Sequence, residues 1–188
     1  MNEQIEIWKC KSSAEIADCR VFKVREDFCE RESDGAEHTF FVVECPDWVN
    51  VIALTKQNEA VLIEQYRQGI EEITLEIPGG MIDRGEDAKA AAARELLEET
   101  GYDSNEFILL GKSCPNPAIQ NNRMYHYLAL NCEKTREIAF DEHESLLTKV
   151  VSLSEVEKLI GGGEITHSMV IAGFYHLHLY NNYENRIT

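Results

Sequence analysis

The 188-residue sequence is short of basic residues: 18 lysines and arginines face 34 aspartates and glutamates, giving a formal net charge of -16. Nonspecific binding to nucleic acid or to an anionic membrane needs a basic surface, so neither partner is expected. An acidic protein can still bind a phosphorylated small molecule when bound divalent cations reverse the local charge. A surface that only keeps the protein in solution explains the acidity equally well.

Targeting segments, long apolar runs and paired cysteines are also missing. Residues 1–7 show no basic region followed by an apolar stretch, and no run approaches the roughly 20 apolar residues of a membrane span. The six cysteines include no Cys-x-x-Cys pair, which argues against a zinc site. Scattered thiols without a secretion signal predict a cytoplasmic protein with reduced cysteines.

Short alternating or apolar runs predict strands along most of the chain. They cover residues 5–10, 19–24, 39–43, 49–55, 60–66, 107–111, 124–131 and 148–152. The first two, with the loop through Asp34 and Gly35, are expected to form a small N-terminal β-sheet apart from the main core. Residues 1–38 are therefore predicted to be an extension and residues 39–188 the main domain.

Residues 87–100 are predicted to be helical, because alanine and unbranched side chains dominate them. Asp87 is the expected N-cap, and Gly101 the left-handed residue after the last turn. Strands on both sides of this helix, followed by C-terminal helices, predict an α+β or sandwich arrangement. The C-terminal helices are expected after Ser152, with Ser154 as candidate cap and glycines 161–163 as the end, and over residues 167–180.

Three glutamates crowd one turn of the helix over residues 87–100. Glu95 lies three residues before Glu98 and four before Glu99, and side chains at these spacings are neighbours about 5–6 Å apart. Their charges repel one another and lie near the negative end of the helix dipole. A divalent cation would resolve the conflict, because Mg²⁺ and Mn²⁺ prefer oxygen ligands. The alternative is an ordinary solvated helix face, since such faces are often charged.

The residues around this turn follow a longer pattern. It reads glycine, five residues, glutamate, seven residues, arginine-glutamate, an aliphatic, any residue, two glutamates, any residue, glycine and a hydrophobic. All seven fixed identities are present, which chance would produce in roughly one window in several hundred million. The chain thus resembles the Nudix hydrolases, whose signature box this is. The matching positions are Gly80, Glu86, Arg94, Glu95, Leu96, Glu98, Glu99, Gly101 and Tyr102, the last in place of a commoner smaller aliphatic.

The resemblance implies a set of metal ligands. In the family the carbonyl just before the first glycine of the box binds metal, and that residue here is Gly79. Glu95 and Glu99 match the main side-chain ligands, with Glu98 sharing the cluster, and two or three Mg²⁺ ions, or Mn²⁺ in their place, are implied. Arg94 is expected to orient the glutamates for catalysis; a purely architectural role is its alternative.

Residues before the box narrow the resemblance to one branch of the family. A Gln-aromatic-Arg strand end at residues 65–67, followed by Glu-x-Pro-x-Gly from Glu76, resembles ADP-ribose and nucleoside-diphosphate-sugar pyrophosphatases. The resemblance implies that Arg67 contacts a substrate phosphate and that the backbone near Met81 lines the same pocket. A surface salt bridge is the alternative for Arg67. Glu76 is expected either to bond a sugar hydroxyl or to hold the loop.

An acidic loop after the box supplies the remaining expected group. Pyrophosphatases of this branch carry a Glu-x-Glu loop at a comparable distance, which provides the general base and in some members a further metal contact. Glu142 and Glu144 match it, without a ranking between them, and a plain acidic surface loop is the alternative. The Ser-Pro-Gly found in many ADP-ribose enzymes is changed in residues 113–117, which leaves other nucleotide sugars open. The amides at residues 120–122 would read a sugar or base edge, or form a plain turn.

The resemblance implies a Nudix α/β/α sandwich around a mixed β-sheet, and a homodimer whose N-terminal strands reach the partner. The expected reaction is Mg²⁺-dependent hydrolysis of the diphosphate in ADP-ribose or a nucleoside-diphosphate sugar, a small-molecule substrate, to a nucleoside monophosphate and a sugar phosphate. One alternative is a Nudix hydrolase of another nucleoside polyphosphate. The other is a module that senses nucleotides without cutting them, against which the intact box argues.

Overall fold

The computed structural model describes residues 5–138 and 145–187, with side chains described up to residue 183. The chain divides into two units. The first contains Met1–Pro46 and Cys114–Asn122, and the second contains Asp47–Ser113 and Arg123–Thr188. Every predicted site residue that the structure describes lies in the second unit.

The first unit contains a three-stranded antiparallel sheet. Its strands are β1 (Trp8–Asp18), β2 (Lys23–Arg31) and β3 (Glu37–Glu44), in the order β1–β2–β3. Two register shifts interrupt the pairing of β1 with β2. The segment Cys114–Asn122 joins this unit through the Val43 amide, which donates to the Ile119 carbonyl at 2.7 Å.

An N-terminal sheet is present, but the predicted bounds of its first two strands are wrong. The sequence predicts strands over residues 5–10 and 19–24, whereas β1 continues to Asp18 and β2 runs from Lys23 to Arg31. Nearly every residue of β1 is exposed, and Ser12 and Ser13 interrupt its alternation of apolar and polar residues, so the pattern does not show that the strand continues past Cys10. The third strand pairs with β2 over its full length, so it continues this sheet past residue 38.

The second unit is built on a mixed eight-stranded sheet. Strands β4 and β10 are parallel neighbours, and the other pairs are antiparallel. The order is β11–β5–β4–β10, with β6 beside β5, β7 beside β4, and β8 and β9 beside β10. The strands are β4 (Trp48–Thr55), β5 (Glu59–Arg67), β6 (Glu72–Glu76), β7 (Gly79–Met81), β8 (Tyr102–Asp103), β9 (Glu106–Ser113), β10 (Met124–Lys134) and β11 (Leu147–Ser152).

Helices cover both faces of this sheet: α1 (Ala88–Thr100) on one side, and α2 (Leu153–Gly162) and α3 (Ser168–Ile187) on the other. Alternate residues of β4 face the two layers, because successive strand side chains point to opposite sides. No helix within the described ranges is long and apolar enough to cross a membrane. The α1 layer buries Val49, Val51, Val61, Ala91, Ala92 and Leu96, and the opposite layer buries Ile52, Leu54, Leu62, Val156, Val170 and Leu177.

The predicted caps of α1 are confirmed. The Asp87 side chain accepts from the amides of residues 89 and 90, and Gly101 has the left-handed φ of 73° that glycine adopts without strain. The predicted cap of α2 is wrong, because Ser152 and not Ser154 accepts the Glu155 amide, at 3.2 Å. Asp87 and Gly101 therefore determine where α1 begins and ends, and thus where its glutamates lie.

Candidate active site and metal site

Two consecutive glycines place the short strand β7 directly against β4. Gly79 pairs with Asn50, and Gly80 pairs with Val49. A Cβ atom on Gly79 would lie 2.3 Å from the Val49 carbonyl oxygen and 2.8 Å from the Cα of Asn50. Only a residue without a side chain fits there, which is the reason for glycine at this close backbone approach.

Two glutamates of α1 lie against these glycines. The Glu95 carboxylate occupies the space above Gly80, where a Cβ atom would come within 2.3 Å of its Oε1. The Gly79 amide donates to Oε2 of Glu99 at 2.8 Å. The helix and the glycine strand are therefore joined at the carboxylates that the sequence predicts as metal ligands.

Arg94 connects the other acidic groups of the box. Its Nε and Nη2 donate to the two oxygens of Glu86 at 3.0 and 2.9 Å. Its Nη1 donates to Oε1 of Glu95 at 2.9 Å and to Oε2 of Glu98 at 3.2 Å. A further bond, of 3.0 Å, runs from Nη2 to the Met81 carbonyl. Because charge-assisted bonds to a planar guanidinium are directional, this residue sets the orientation of three carboxylates.

The electrostatics of Glu95 differ from those of its neighbours. Burial raises the pKa of Glu95, and the nearby charges of Glu98 and Glu86 raise it further, although the bonds from Arg94 act in the opposite direction. By contrast, the bonds from Arg94 and from the Asp83 amide lower the pKa of Glu86. A buried carboxylate with a raised pKa gains stability as an anion when another cation approaches it.

The described side chains include no group of three or more His, Cys, Asp and Glu arranged to hold a metal ion. The carboxylates instead accept bonds from Arg94 and from the Gly79 amide. A carboxylate offers about four lone-pair sites, so a carboxylate that accepts hydrogen bonds from the protein can still bind a cation. Carboxylate oxygens beside a bare glycine backbone, with the raised pKa of Glu95, form a donor set that fits a hard divalent cation such as Mg²⁺.

Arg67 and Glu76 form a bidentate ion pair on the paired strands β5 and β6. The Nε and Nη2 of Arg67 donate to the two carboxylate oxygens at 2.7 and 2.6 Å, and the Thr74 hydroxyl adds a bond of 2.6 Å. Burial would raise the pKa of Glu76, but these hydrogen bonds outweigh it and lower the pKa. The Glu76 side chain is 4% exposed and that of Arg67 is 41% exposed. Glu76 therefore anchors an arginine that remains open to solvent.

The predicted site residues that the structure describes form two bonded groups: the box residues around Arg94 and Gly79, and the ion pair of Arg67 with Glu76. Arg94 links Met81 to the box glutamates, Gly79 holds Glu99, and the charge of Glu99 contributes to raising the pKa of Arg67. The predicted general bases, Glu142 and Glu144, lie outside the described residues. The amides at residues 120–122 bond within their own unit: Gln120 donates to the Cys45 sulfur, Asn121 accepts from the Cys45 amide and Asn122 donates to the Pro46 carbonyl, which favours the plain turn.

Sequence reasoning missed a buried polar group beneath Gly79. Asn50 and His126 are opposite each other on β4 and β10, with the Nδ1 of the histidine 2.8 Å from Oδ1 of the asparagine. His126 is completely buried. The one available signal was the polar residue within the apolar run of residues 48–54, because buried polar side chains are bonded to partners.

A solved structure, described as the crystal structure of an ADP compounds hydrolase, has the same fold. It superposes with a TM-score of 0.85 over 98% of this chain and 99% of that chain, at 22% sequence identity. The fold class is therefore the mixed α/β/α sandwich of the Nudix hydrolases, and the predicted fold class is confirmed.

The chain belongs to the Nudix family. The NUDIX domain profile matches residues 46–171, which include the whole box. A relative named methanol dehydrogenase activator, from Bacillus methanolicus, is 31% identical over 91% of this chain and 92% of its own. An ADP-ribose pyrophosphatase from Bacillus subtilis is 28% identical over 73% of this chain and 75% of its own. The predicted membership of the family, in its ADP-ribose pyrophosphatase branch, is confirmed.

Proposed function

We propose that this protein hydrolyses the diphosphate of ADP-ribose, or of a nucleoside-diphosphate sugar, to a nucleoside monophosphate and a sugar phosphate. The observation that carries the proposal is the position of Glu95 and Glu99 against Gly80 and Gly79 within a complete Nudix box. A non-catalytic module would not require both carboxylates at this glycine strand. Relatives named ADP-ribose pyrophosphatase support the substrate class.

The reaction requires a divalent cation, Mg²⁺ or Mn²⁺. Two or three ions would be held by the Gly79 carbonyl and by the carboxylates of Glu95, Glu98 and Glu99. When bound, the cations neutralise the diphosphate, polarise the phosphorus and acidify the attacking water. The fit rests on the oxygen donors at the glycine strand and on the raised pKa of Glu95.

The side chains around the ions divide the remaining tasks. Arg94 holds the carboxylates in place through its bonds to Glu86, Glu95 and Glu98. Arg67 is the proposed phosphate contact: Glu76 fixes its guanidinium through two donors, and its exposed part can still reach an anion. The backbone at Met81 lines the same pocket.

Proton removal from the attacking water is assigned to Glu142 or Glu144. Glu76 has two candidate roles: its carboxylate accepts a hydrogen bond from a sugar hydroxyl of the substrate, or it anchors Arg67. Its burial and its bidentate ion pair support the anchoring role.

Glu99→Gln tests the proposal with little disturbance of the fold, because the amide oxygen of glutamine can still accept the Gly79 amide. We expect kcat to fall by orders of magnitude, with an unchanged melting temperature. Glu157→Gln is the matched control, because this exposed glutamate of α2 lies outside the site and should retain full kcat. An unchanged rate for Glu99→Gln would overturn the proposal.

The substrate is tested with a panel of ADP-ribose, nucleotide sugars, nucleoside triphosphates and dinucleoside polyphosphates, each with Mg²⁺ and with Mn²⁺. Identification of the products by mass spectrometry distinguishes the reactions. A nucleoside monophosphate with a sugar phosphate supports the proposal, whereas faster cleavage of a triphosphate supports a different Nudix hydrolase. Binding without products supports the sensing module.

A second candidate function is the activation of a dehydrogenase. The relative from Bacillus methanolicus, which matches this chain over nearly the whole length of both proteins, is named methanol dehydrogenase activator. The test adds the wild-type protein, or Glu99→Gln, to purified methanol dehydrogenase and follows the rate of methanol oxidation. If the wild type activates the dehydrogenase and Glu99→Gln does not, hydrolysis is the cause of the activation. Activation by both proteins would indicate regulation by binding, and no activation by either rules the candidate out.

We also propose that the protein is a cytoplasmic homodimer formed through the first unit. The sheet of this unit exposes aromatic side chains that a partner could cover, among them Phe41 at 54% exposure. All six cysteines are unbridged, which supports the proposed cytoplasmic location. Phe41→Asp should shift the sedimentation coefficient to that of a monomer. Tyr183→Asp, at an exposed position of α3, is the control and should leave the dimer intact.

A further inference from the structure

We propose that Asn50 and His126 are positioning residues for the reaction: they hold β4 under Gly79 and thereby keep the Gly79 amide against Glu99. This inference rests on the proposed function, because Glu99 is a proposed metal ligand. Neither residue belongs to the Nudix box.

The hydrogen bonds of this group permit a single arrangement of protons. The Nδ2 of Asn50 donates to the Met169 carbonyl at 3.0 Å, so its Oδ1 is the acceptor that faces His126. The ring must therefore carry its hydrogen on Nδ1, and its bare Nε2 accepts from the Ser113 hydroxyl at 2.8 Å. Burial, and then the neighbouring His176, lower the pKa of His126 to about 4, so the ring is neutral at pH 7. One tautomer satisfies every partner.

Asn50 transmits this order to the glycine strand. It is the β4 residue that pairs with Gly79, and the vacant Cβ position of that glycine is 2.8 Å from its Cα and 3.0 Å from its Cβ. At that separation the two backbones cannot move independently. The Gly79 amide is the donor to Glu99, so the start of α3 is connected to the metal-binding turn of α1 through Met169, Asn50 and Gly79.

Packing alone does not explain polar residues at this position. The next side chains on the same face of β4, Ile52 and Leu54, are apolar and buried against α2 and α3. Replacing both partners of a buried hydrogen bond by apolar groups of the same shape is often nearly neutral for stability. The hydrogen bonds of Asn50 and His126 instead fix the relative position of their strands, because a fully satisfied polar network permits only one arrangement.

The test compares two substitutions of His126 that each keep one half of the ring. The amide of asparagine lies near the position of Nδ1 and can still donate to Asn50, whereas the amide of glutamine lies near Nε2 and meets Ser113. Asn50→Asp keeps the acceptor and replaces the donor to Met169 by an oxygen. Val156→Ala is the control for stability, since it leaves a cavity in the α2 core without touching the network.

Hydrogen exchange of the Gly79 amide, measured by NMR without metal or substrate, is the first readout. For His126→Gln and Asn50→Asp we expect the exchange rate of the Gly79 amide to rise by about tenfold or more and kcat to fall by about tenfold or more, as for partners that orient metal ligands. The change in KM should be smaller. His126→Asn should stay nearer to the wild type. Val156→Ala should unfold more easily but keep wild-type exchange at Gly79 and wild-type kcat.

The inference is overturned if exchange at Gly79 is unchanged in His126→Gln and Asn50→Asp, or if Val156→Ala accelerates it equally. Should Asn50→Asp fail to fold, the asparagine and glutamine variants of His126 decide between the same outcomes. The exchange measurement needs no activity. Faster exchange in a protein that cleaves none of the panel would therefore refute the proposed function alone, and unchanged exchange in an active enzyme would refute this inference alone.

Discussion

Gly80 and Glu95 share one small space, in which a Cβ atom on residue 80 would lie 2.3 Å from Oε1 of the glutamate. A carboxylate at the end of a flexible side chain can swing away from a methyl group at little cost. At Gly79 the same methyl group would meet the backbone of β4, which cannot swing. Gly80 therefore determines the position of the Glu95 carboxylate, whereas Gly79 is required for the close pairing of β7 with β4.

Gly80→Ala and Gly79→Ala should accordingly have different effects. Gly80→Ala should keep the stability of the metal-free protein but lose most of the stabilisation by Mg²⁺, because Glu95 is displaced. Gly79→Ala should lower the free energy of unfolding by about 1–3 kcal/mol, the usual effect of overpacking. Urea denaturation with and without Mg²⁺ measures both effects. A Gly80→Ala protein that responds to Mg²⁺ as the wild type does would contradict the expectation.

Arg94→Lys should damage the site although the charge is kept. A lysine has no planar fork, so it cannot bond Glu86, Glu95 and Glu98 together. We expect a loss of about 1–3 kcal/mol of unfolding free energy, from hydrogen bonds to charged groups, and a fall in kcat of about tenfold or more. Arg84→Lys, in the exposed loop before α1, is the control. Equal kcat in the two variants would remove the orienting role from Arg94.

Glu95→Gln should stabilise the metal-free protein at neutral pH. The folded pKa of Glu95 is raised above its ordinary 4.5, so stability is fully present below that pH and is lost as the pH rises through the folded pKa. A neutral glutamine avoids that loss. Thermal melts in EDTA should show a higher melting temperature for the variant at pH 7.5, with the difference shrinking towards pH 4. The variant should also lose stabilisation by Mg²⁺, and a lower melting temperature at pH 7.5 would count against this reading.

His126 should contribute to unfolding in acid. Its folded pKa is lowered from 6.5 to about 4, so its contribution to stability is present above pH 6.5 and is lost as the pH falls through 4. The full loss is roughly 3 kcal/mol, from the free energy of one pKa unit. Urea denaturation across this range should show a flatter acid limb for His126→Asn, and the same limb as the wild type for His178→Asn. Identical limbs for all three proteins would show that His126 does not titrate in this way.

Local interactions explain which elements the sequence predicts well. The ends of α1 depend on Asp87 and Gly101, both adjacent to the helix, so composition and cap residues suffice to place it. The bounds of β1 and β2 depend on pairing between the two strands, and neither strand has a continuous apolar alternation that would show its full length. The predicted cap of α2 is wrong because Ser152 and Ser154 both have a side-chain oxygen that can cap a helix, and only backbone geometry distinguishes them.

The candidate site shows the same division. The spacing of Glu95, Glu98 and Glu99 within one turn predicts a carboxylate cluster, because helix geometry is regular. The ion pair of Arg67 with Glu76 depends on the register of β5 with β6, which the sequence does not specify. The bond between Asn50 and His126 joins residues 76 positions apart, and no local signal connects such partners.

The guanidinium of Arg94 donates hydrogen bonds to Glu86, Glu95 and Glu98 and so supplies these carboxylates with a positive charge from the protein itself. Because this counter-charge belongs to the fold, depletion of magnesium should leave an intact but inactive protein rather than a misfolded one. Activity could then rise and fall with the supply of free cation, reversibly and without new synthesis of the protein.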